Sequence, residues 1–305
     1  MLGADPLLVI TGPTASGKTA LAVELARAWD GELIGADSVQ VYRGFDVGSS
    51  KPTEQELGGI PHHLIDVRDP LEDLDAAGFA QLADAAIADV RARGKLPILV
   101  GGSGLWLRAL LRGLVELPAV SPVLRAALVA EAVQLGTPAL HTRLGAIDPL
   151  AAAKIHPNDT VRVTRALEVH AQTGKPLGAM RAEHALGEPR YRALRVILDW
   201  PNELLYPRIA QRTQEMFARG FVDEVRTLLE RCPAARALGA VGYRELVRYL
   251  RDGGELEPTI AAVERATRIY ARRQRTWLKN EPGDRLLAQP DDPQLRERLA
   301  RFVGR

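Results

Sequence analysis

The sequence predicts an α/β fold in which a parallel sheet is flanked by helices, with an all-helical domain inserted into it and a helical C-terminal region. Three features lead to this. Over the first 116 residues, short apolar runs punctuated by glycine alternate with helical stretches. Between Leu117 and Arg190 the strand signal disappears. One further apolar run, "ALRVILDW" at 193–200, then resumes the sheet. Apolar runs without a polar alternate suit strands covered on both faces, as in parallel sheets, and their alternation with helices sets the class.

The elements follow in order. "PLLVI" at 6–10 is the first strand and leads into a helix over 17–29; "GELIGA" at 31–36 is the second. "HHLIDV" at 62–67 precedes a helix over 76–93, and "LPILV" at 96–100 precedes one over 105–114. In the insert every segment is helix-like, and the breaks are turns at 136–138, 148–149, 156–158 and 174–176. After Trp200, helices are expected over 202–231, 242–251 and 258–279, broken at Gly220, Gly239 and Gly253–Gly254. The expected division is 1–116 with 191–305 as the α/β core and 117–190 as the insertion domain.

Composition excludes several classes. Forty Lys+Arg against 38 Asp+Glu give a net charge of +2, so any nucleic-acid surface must come from local clustering. The single cysteine, Cys232, excludes an internal disulfide and a cysteine-based zinc site. His62 and His63 are adjacent, so on a strand they point to opposite faces and cannot share a metal. No basic leader and no apolar run of about 18 residues is present, so a cytoplasmic protein with no membrane partner is expected.

The strongest local signal is "GPTASGKT" at 12–19, which fits the phosphate-loop pattern G-x-x-x-x-G-K-[ST] between a strand and a helix. Gly12, Pro13, Thr14, Ala15, Ser16 and Gly17 form the loop that turns backbone N–H groups toward phosphate oxygens. Lys18 neutralises charge, and Thr19 can hold Mg2+. A P-loop NTPase-like core is therefore expected, with a di- or triphosphate as ligand. Triphosphate cleavage usually also needs an acidic residue at the end of a neighbouring strand. Here "PILVGG" ends in glycine, and Asp66 and Asp199 are weak substitutes.

Asp37 follows the second strand at its carboxyl end, on the edge of the sheet where the phosphate loop lies. Its carboxylate either takes a proton from a nucleophile or caps a turn with Ser38. "GPTASGKT", "ADSVQVYRGFDVGSSKPT", "PHHLIDVRDP", "LVGGSGLWLRALLRGL", "HPNDTVRVTRALEV", "GAVGYRE" and "RRQRTWLK" occur in order along nearly the whole chain. In these motifs the sequence resembles the tRNA dimethylallyltransferase (tRNA isopentenyltransferase) family, in its bacterial form without a zinc-finger tail.

The resemblance implies transfer of a dimethylallyl group from dimethylallyl diphosphate to the N6 amine of the adenosine 3′ of the anticodon. It makes Asp37 the general base. Lys18, Thr19 and Mg2+ are implied to hold the diphosphate, with Ser103 nearby, Arg212 as a further positive charge and Arg208 one helical turn away as an assistant. For the tRNA anticodon stem-loop it implies contacts from Asp37, Ser38, Val39, Gln40 and Ser103; from Arg125, Val161, Arg162 and Arg165 in the insert; and from Gly239, Gly242, Tyr243 and Arg244. Arg272, Arg273, Gln274, Arg275, Thr276, Trp277 and Lys279 complete that set.

Independently of the family, Arg265, Arg268, Arg272, Arg275 and Lys279 recur at spacings of three and four, one basic stripe on a helix. Val263, Ala266, Tyr270 and Trp277 are expected to anchor its other side. Ser103 and Trp106 depart from the Thr and Tyr usual in the family, and the indole removes an acceptor at 106. The competing readings are a P-loop small-molecule kinase, a prenyltransferase acting on free adenine nucleotide, and an RNA-binding nucleotide switch. A monomer is expected.

Overall fold

Every residue of the strand Leu7–Thr11 (β1) is buried, as an apolar run covered on both faces requires. The computed structural model describes residues 5–184, 188–289 and 292–304. Among these, β1 lies in a six-stranded parallel sheet with Gly31–Gly35 (β2), His62–His63 (β3), Leu96–Gly101 (β4), Ala193–Leu198 (β5) and Arg285–Ala288 (β6). The order is β3-β2-β4-β1-β5-β6. Thr11 pairs with both Gly101 and Ile197, and Gly35 pairs with Val100, so the carboxyl ends of β2, β4, β1 and β5 are level. That shared edge carries the site.

Alternation splits each strand between two cores. Leu8, Ile10, Leu33, Ile98 and Val196 pack with Leu21, Ala22 and Leu25 of the helix Lys18–Ala28 and with Leu295 and Leu299 of the helix Pro293–Val303. The intervening Val9, Ile34, Leu99 and Ile197 are equally buried. The helix Ala76–Ala92 packs against β2 and β4. Its Phe79 stacks on Trp106, with ring centroids 4.4 Å apart.

Three elements differ from expectation. The third strand shrinks to His62–His63 because Leu64 and Asp66 take φ of 62° and 56° and turn the chain away. Asp66 N then donates to Gln40 O at 3.2 Å, and the Asp66 carboxylate receives Lys51 Nζ at 2.5 Å. β6 and the helix Pro293–Val303 were not expected; Arg285 and Leu287 of β6 are exposed, as suits a short edge strand. The break expected at Gly220 is present: with φ of 89° it separates the helices Asn202–Ala218 and Phe221–Arg231. Among the described residues no single helix is long and apolar enough to cross a membrane.

The chain divides into two compact units, Met1–Leu111 with Pro189–Arg305, and Arg112–Glu188. The second is helical, built from Pro122–Leu135, Thr137–Ile147, Pro149–Ala152, Thr160–Thr173 and Leu177–His184. Ser121, Asp148 and Asp159 cap three of these through their side chains. Leu128, Leu140, Leu144, Val163 and Leu167 form its core.

Within that core lies a fully buried carboxylate, Glu168. It accepts from Ser121 N at 2.8 Å and from Arg125 Nε at 3.2 Å, and Arg165 Nη1 stands 3.1 Å away. Burial pushes the Glu168 pKa up, but the bonds from Arg125, Arg165 and Ser121 outweigh it and hold the group below its ordinary 4.5. A carboxyl whose pKa is lowered by folding adds stability above its unfolded value and loses that contribution as pH falls through the folded one. Glu168→Gln is therefore expected to unfold at lower temperature than the parent at pH 7, by a few degrees per roughly 1 kcal/mol lost. The gap should narrow as pH falls below 4.5 and close only below the lower folded-state value, where the folded parent also carries a neutral group. Thermal melts of both proteins across pH 3 to 8 check this, and a gap that does not depend on pH is the contrary result.

Candidate active site

The loop after β1 is shaped by close approach. At Gly12 a Cβ would lie 2.8 Å from Leu198 O and 2.9 Å from Ser16 Oγ, so no side chain fits. Ala15 has φ of 62°, a left-handed conformation that costs a non-glycine residue about 1 to 2 kcal/mol, and Gly17 with φ of 88° opens the helix Lys18–Ala28. No acidic residue occupies the first turn of that helix, so its N-terminus keeps its positive potential. Ser16 Oγ and Thr11 Oγ1 are buried and unpartnered among the described residues. Strained backbone, bare N–H groups and orphan hydroxyls form a cradle for an anion.

Lys18 and Arg212 add the charge. Lys18 Nζ rests on Pro13 O at 2.8 Å. Burial, and then the positive charge of Arg212, press its pKa down to about 8, while Asp37 draws it partly back. Burial likewise lowers Arg212, against the pull of Asp37. Arg212 is held by Ser50 Oγ at 2.7 Å and Thr14 Oγ1 at 3.1 Å, and so links the helix Asn202–Ala218 to the phosphate loop. Two cations so placed favour an arriving anion. Arg208 is different: it is exposed, donates to Ala15 O at 3.0 Å and lies 5.0 Å from the Trp200 ring centroid. It props the outside of the loop and does not line the cavity, which corrects its expected place in the diphosphate set.

Asp37 follows β2 at the level of the loop. Its Oδ1 accepts Val39 N at 2.9 Å and Gln40 N at 3.3 Å, so it caps a turn. Oδ2 makes no hydrogen bond among the described residues, so capping the turn leaves one oxygen of the carboxylate free to accept. Ser103 Oγ accepts Ser38 N at 3.0 Å, which ties the end of β4 to this turn. Gly101 also abuts it: a Cβ there would lie 2.2 Å from Ala36 O.

These groups line one cavity of about 740 Å3. Its wall contains Thr14 to Thr19, Asp37 to Gln40, Arg212, Gly239, Gly242, Arg244, Arg273 and Gln274. Gly12, Pro13 and Ser103 are not among the residues that line it. Tyr270, expected to anchor the long helix Leu256–Asn280, is part of the wall instead. Burial first, and then the charge of Asp37, raise its pKa, so its hydroxyl stays protonated. Val263, Thr267, Tyr270 and Gln274 follow each other at spacings of four, three and four on this helix, and all four line the cavity. That periodicity was the available signal.

Several residues expected to meet RNA are committed elsewhere. Gln274 is buried; its Oε1 accepts Thr14 N at 2.9 Å and its Nε2 donates to Gly102 O at 3.1 Å, bolting the phosphate loop to the end of β4. Arg275 pairs with Asp199 at 2.9 Å and bonds Asn202 Oδ1 at 2.8 Å, and Lys279 meets the same Asp199 at 2.6 Å. Trp277 packs on Gly104, where a Cβ would come within 2.3 Å, and lies under Arg108. Arg268 pairs with Glu264. Tyr243 has 1% of its surface exposed and packs between Phe45 and Phe221, so it cannot stack on a base. In the helical unit Arg125 and Arg165 serve Glu168, while Val161 and Arg162 are exposed. On the long helix Arg265, Arg272, Arg273 and Thr276 remain exposed, and the three arginines have no ion pair among the described residues. Trp106 is buried against Phe79 and takes no part in the cavity.

One residue the sequence did not flag shapes the site from outside. Glu224 accepts three consecutive amides, Asp46 at 3.0 Å, Val47 at 2.5 Å and Gly48 at 3.0 Å, and the Tyr243 hydroxyl at 2.8 Å. The segment so clamped carries Ser49 O and Ser50 Oγ, which accept from Arg212, and Ser49 O and Ser50 O, which accept from Gln40 Nε2. Gly48 is pressed on Phe221, where a Cβ would approach to 2.0 Å. A glutamine cannot accept at both ends, so Glu224→Gln should leave at least one loop amide unpaired. A hydrogen bond to a charged group is worth about 1.5 to 3 kcal/mol, so hydrogen exchange at Val47 and Gly48 should quicken roughly tenfold or more with the strands unchanged. Equal protection in both proteins would remove the clamp.

With this geometry in place, the comparisons are specific. The family model "IPP transferase" matches residues 40–281. A tRNA dimethylallyltransferase of Anaeromyxobacter sp. (strain K) is 53% identical over 97% of this chain and 96% of its own. One of Myxococcus xanthus is 47% identical over 95% of each. The solved full-length tRNA isopentenylpyrophosphate transferase of Bacillus halodurans is 35% identical with a TM-score of 0.68, covering 99% of this chain and 95% of that one. A eukaryotic dimethylallyltransferase, captured acting on tRNA, is 28% identical with a TM-score of 0.80 over 97% of this chain and 78% of that one. On the family match and on identity along nearly its full length, this chain belongs to the IPP transferase family.

Proposed function

We propose that the protein transfers a dimethylallyl group from dimethylallyl diphosphate to the N6 amine of the adenosine 3′-adjacent to the anticodon in tRNA, releasing diphosphate. The observation that carries this reading is a single cavity in which an anion cradle faces a carboxylate with one free oxygen, Asp37 Oδ2. An adenine amine is a weak nucleophile because its lone pair is delocalised into the ring. Asp37 accepts the proton as the new C–N bond forms. The C–O bond to diphosphate breaks on the other side, and the loop amides, Lys18 and Arg212 take up the charge of the leaving group. Tyr270, kept protonated, is a hydrogen-bond donor beside the same carboxylate.

The donor set suits a hydrated divalent cation. The Thr19 side chain is in the cavity wall, and no cluster of three or more His, Cys, Asp or Glu is present among the described residues. A metal here would draw most of its shell from water and diphosphate oxygens, which favours Mg2+. When bound it neutralises negative charge on the diphosphate.

A kinase fits this cavity less well. The place at the end of β4 where an acidic residue would stand is Gly101, and Ala36 O leaves no room there for a side chain. Exposed Arg265, Arg272 and Arg273, with Arg244 at the cavity wall and Arg162 in the helical unit, supply phosphate contacts that position RNA without reading its sequence. Anticodon-loop bases are single-stranded, so turning one toward Asp37 costs little.

Two outcomes test the reading. Asp37→Ala, incubated with dimethylallyl diphosphate, Mg2+ and unmodified tRNA, should lose transfer by roughly 100-fold or more while keeping tRNA affinity; equal turnover would remove Asp37 as the base, and faster transfer to free AMP than to tRNA would replace the acceptor. The double substitution Arg272→Ala with Arg273→Ala should weaken tRNA binding and reduce the slope of log K against log salt by about 1 to 2. Arg275→Ala should act differently, lowering the melting temperature through its loss from Asp199 and Asn202.

A further inference from the structure

The two adjacent histidines of β3 have unlike surroundings. His63 sits opposite Ile34, on the face where Glu32 lies, and its Nε2 is 2.6 Å from Glu32 Oε2, a carboxylate that Arg93 also binds at 2.6 Å. It belongs to a structural ion cluster. His62 sits opposite Leu33, whose neighbours in the core are Leu21, Ala22 and Leu25, so His62 points to the face that carries the helix Lys18–Ala28.

The next residue of β2 on that face is Gly35, and a Cβ there would lie 3.3 Å from His62 Nε2. The absent side chain leaves room for the imidazole to lie across the strand. It thereby joins the cavity wall together with Thr19, Ala20, Val100 and Gly101. Both ring nitrogens are closed off from solvent, and neither has a hydrogen-bond partner among the described residues. Burial, and then the charge of His63, hold the His62 pKa down to about 4, so the ring is neutral with one N–H donor and one lone pair. Buried polar side chains are nearly always paired, and a ring set in a ligand cavity with neither nitrogen satisfied finds its partner in the ligand. The ring shares its face of the sheet with the helix whose N-terminus carries Lys18 and Thr19, the anion-binding end of the cavity.

We propose that His62 is a contact residue for the diphosphate held by the 12–19 loop, its imidazole N–H donating to a phosphoryl oxygen. A neutral ring suits this task because it adds a directed donor beside Lys18 and Arg212 without a third positive charge. The inference rests on the proposed reading of the cavity as a diphosphate site.

Calorimetric titration with inorganic pyrophosphate, with and without Mg2+, tests it on the full chain. His62→Phe keeps a planar ring and removes the donor; it should weaken pyrophosphate binding at least tenfold with the melting temperature held. His62→Asn, which retains an N–H donor, should recover part of that loss. Binding of the Phe variant within twofold of the parent overturns the inference, and so does a loss seen only when Mg2+ is present, since the contact would then run through the cation's water. Should the Phe variant fail to fold, Asn and Leu at 62, matched in size, decide by the same criterion. No pyrophosphate binding by the parent protein overturns the reading of the site itself.

Discussion

Lys18 and Arg212 stand close enough in one cavity that each raises the energy of the other's charge, and Asp37 is the carboxylate that opposes both. The site depends on that imbalance. Burial strips water from the two cations, and Asp37, with Glu215 and Glu56 acting on Arg212, does not neutralise them, so the cavity holds positive potential. A diphosphate relieves it. Lys18, Arg212 and Asp37 therefore form one electrostatic arrangement, and a charge added or removed at any of them disturbs the others.

Holding that arrangement requires elements distant in sequence to agree at the carboxyl edge of the sheet. The level ends of β1, β2 and β4 bring the phosphate loop, Asp37 and Ser103 side by side. Gln274 then fastens Thr14 N to Gly102 O from a helix 260 residues downstream of Thr14, and Glu224 fastens the 46–48 amides from another. Neither Gln274 nor Glu224 needs to touch a substrate. Each satisfies backbone groups that a loop folded around an anion cannot pair within itself.

What was legible in the sequence follows from how local the physics is. The phosphate loop was legible because Gly12 and Gly17 answer to backbone geometry within a few residues of themselves. Asp37 was legible as a choice between capping and base chemistry, and the carboxylate does the first with one oxygen while leaving the second free. The basic stripe was not resolved, because nothing near Arg275 and Lys279 announces that Asp199, far back in the chain, will pair with both. Tyr243 misled for a related reason: a tyrosine beside an arginine in a Gly-rich segment reads as a stacking platform, and only the packing of Phe45 and Phe221 around it reveals a core residue. β6 was invisible because four residues on an edge, two of them exposed, carry no continuous apolar run.

The helix Leu256–Asn280 shows what such non-local pairing achieves. Along one stripe, Val263, Thr267, Tyr270 and Gln274 close the cavity. Along another, Arg265, Arg272 and Thr276 stay in solvent. Arg275 and Lys279 lie between, where their pairing with Asp199 just past β5 adds to the hold of Gln274 and the buried face on the rotation of the helix about its axis. At about 100° per residue the two stripes lie on nearly opposite sides of the helix, so a rotation of one residue would take the first off the cavity. With Arg275 and Lys279 bound to Asp199, the arginines of this helix left exposed and without an ion pair among the described residues are Arg265, Arg272 and Arg273, so its charge count overstates its free positive surface.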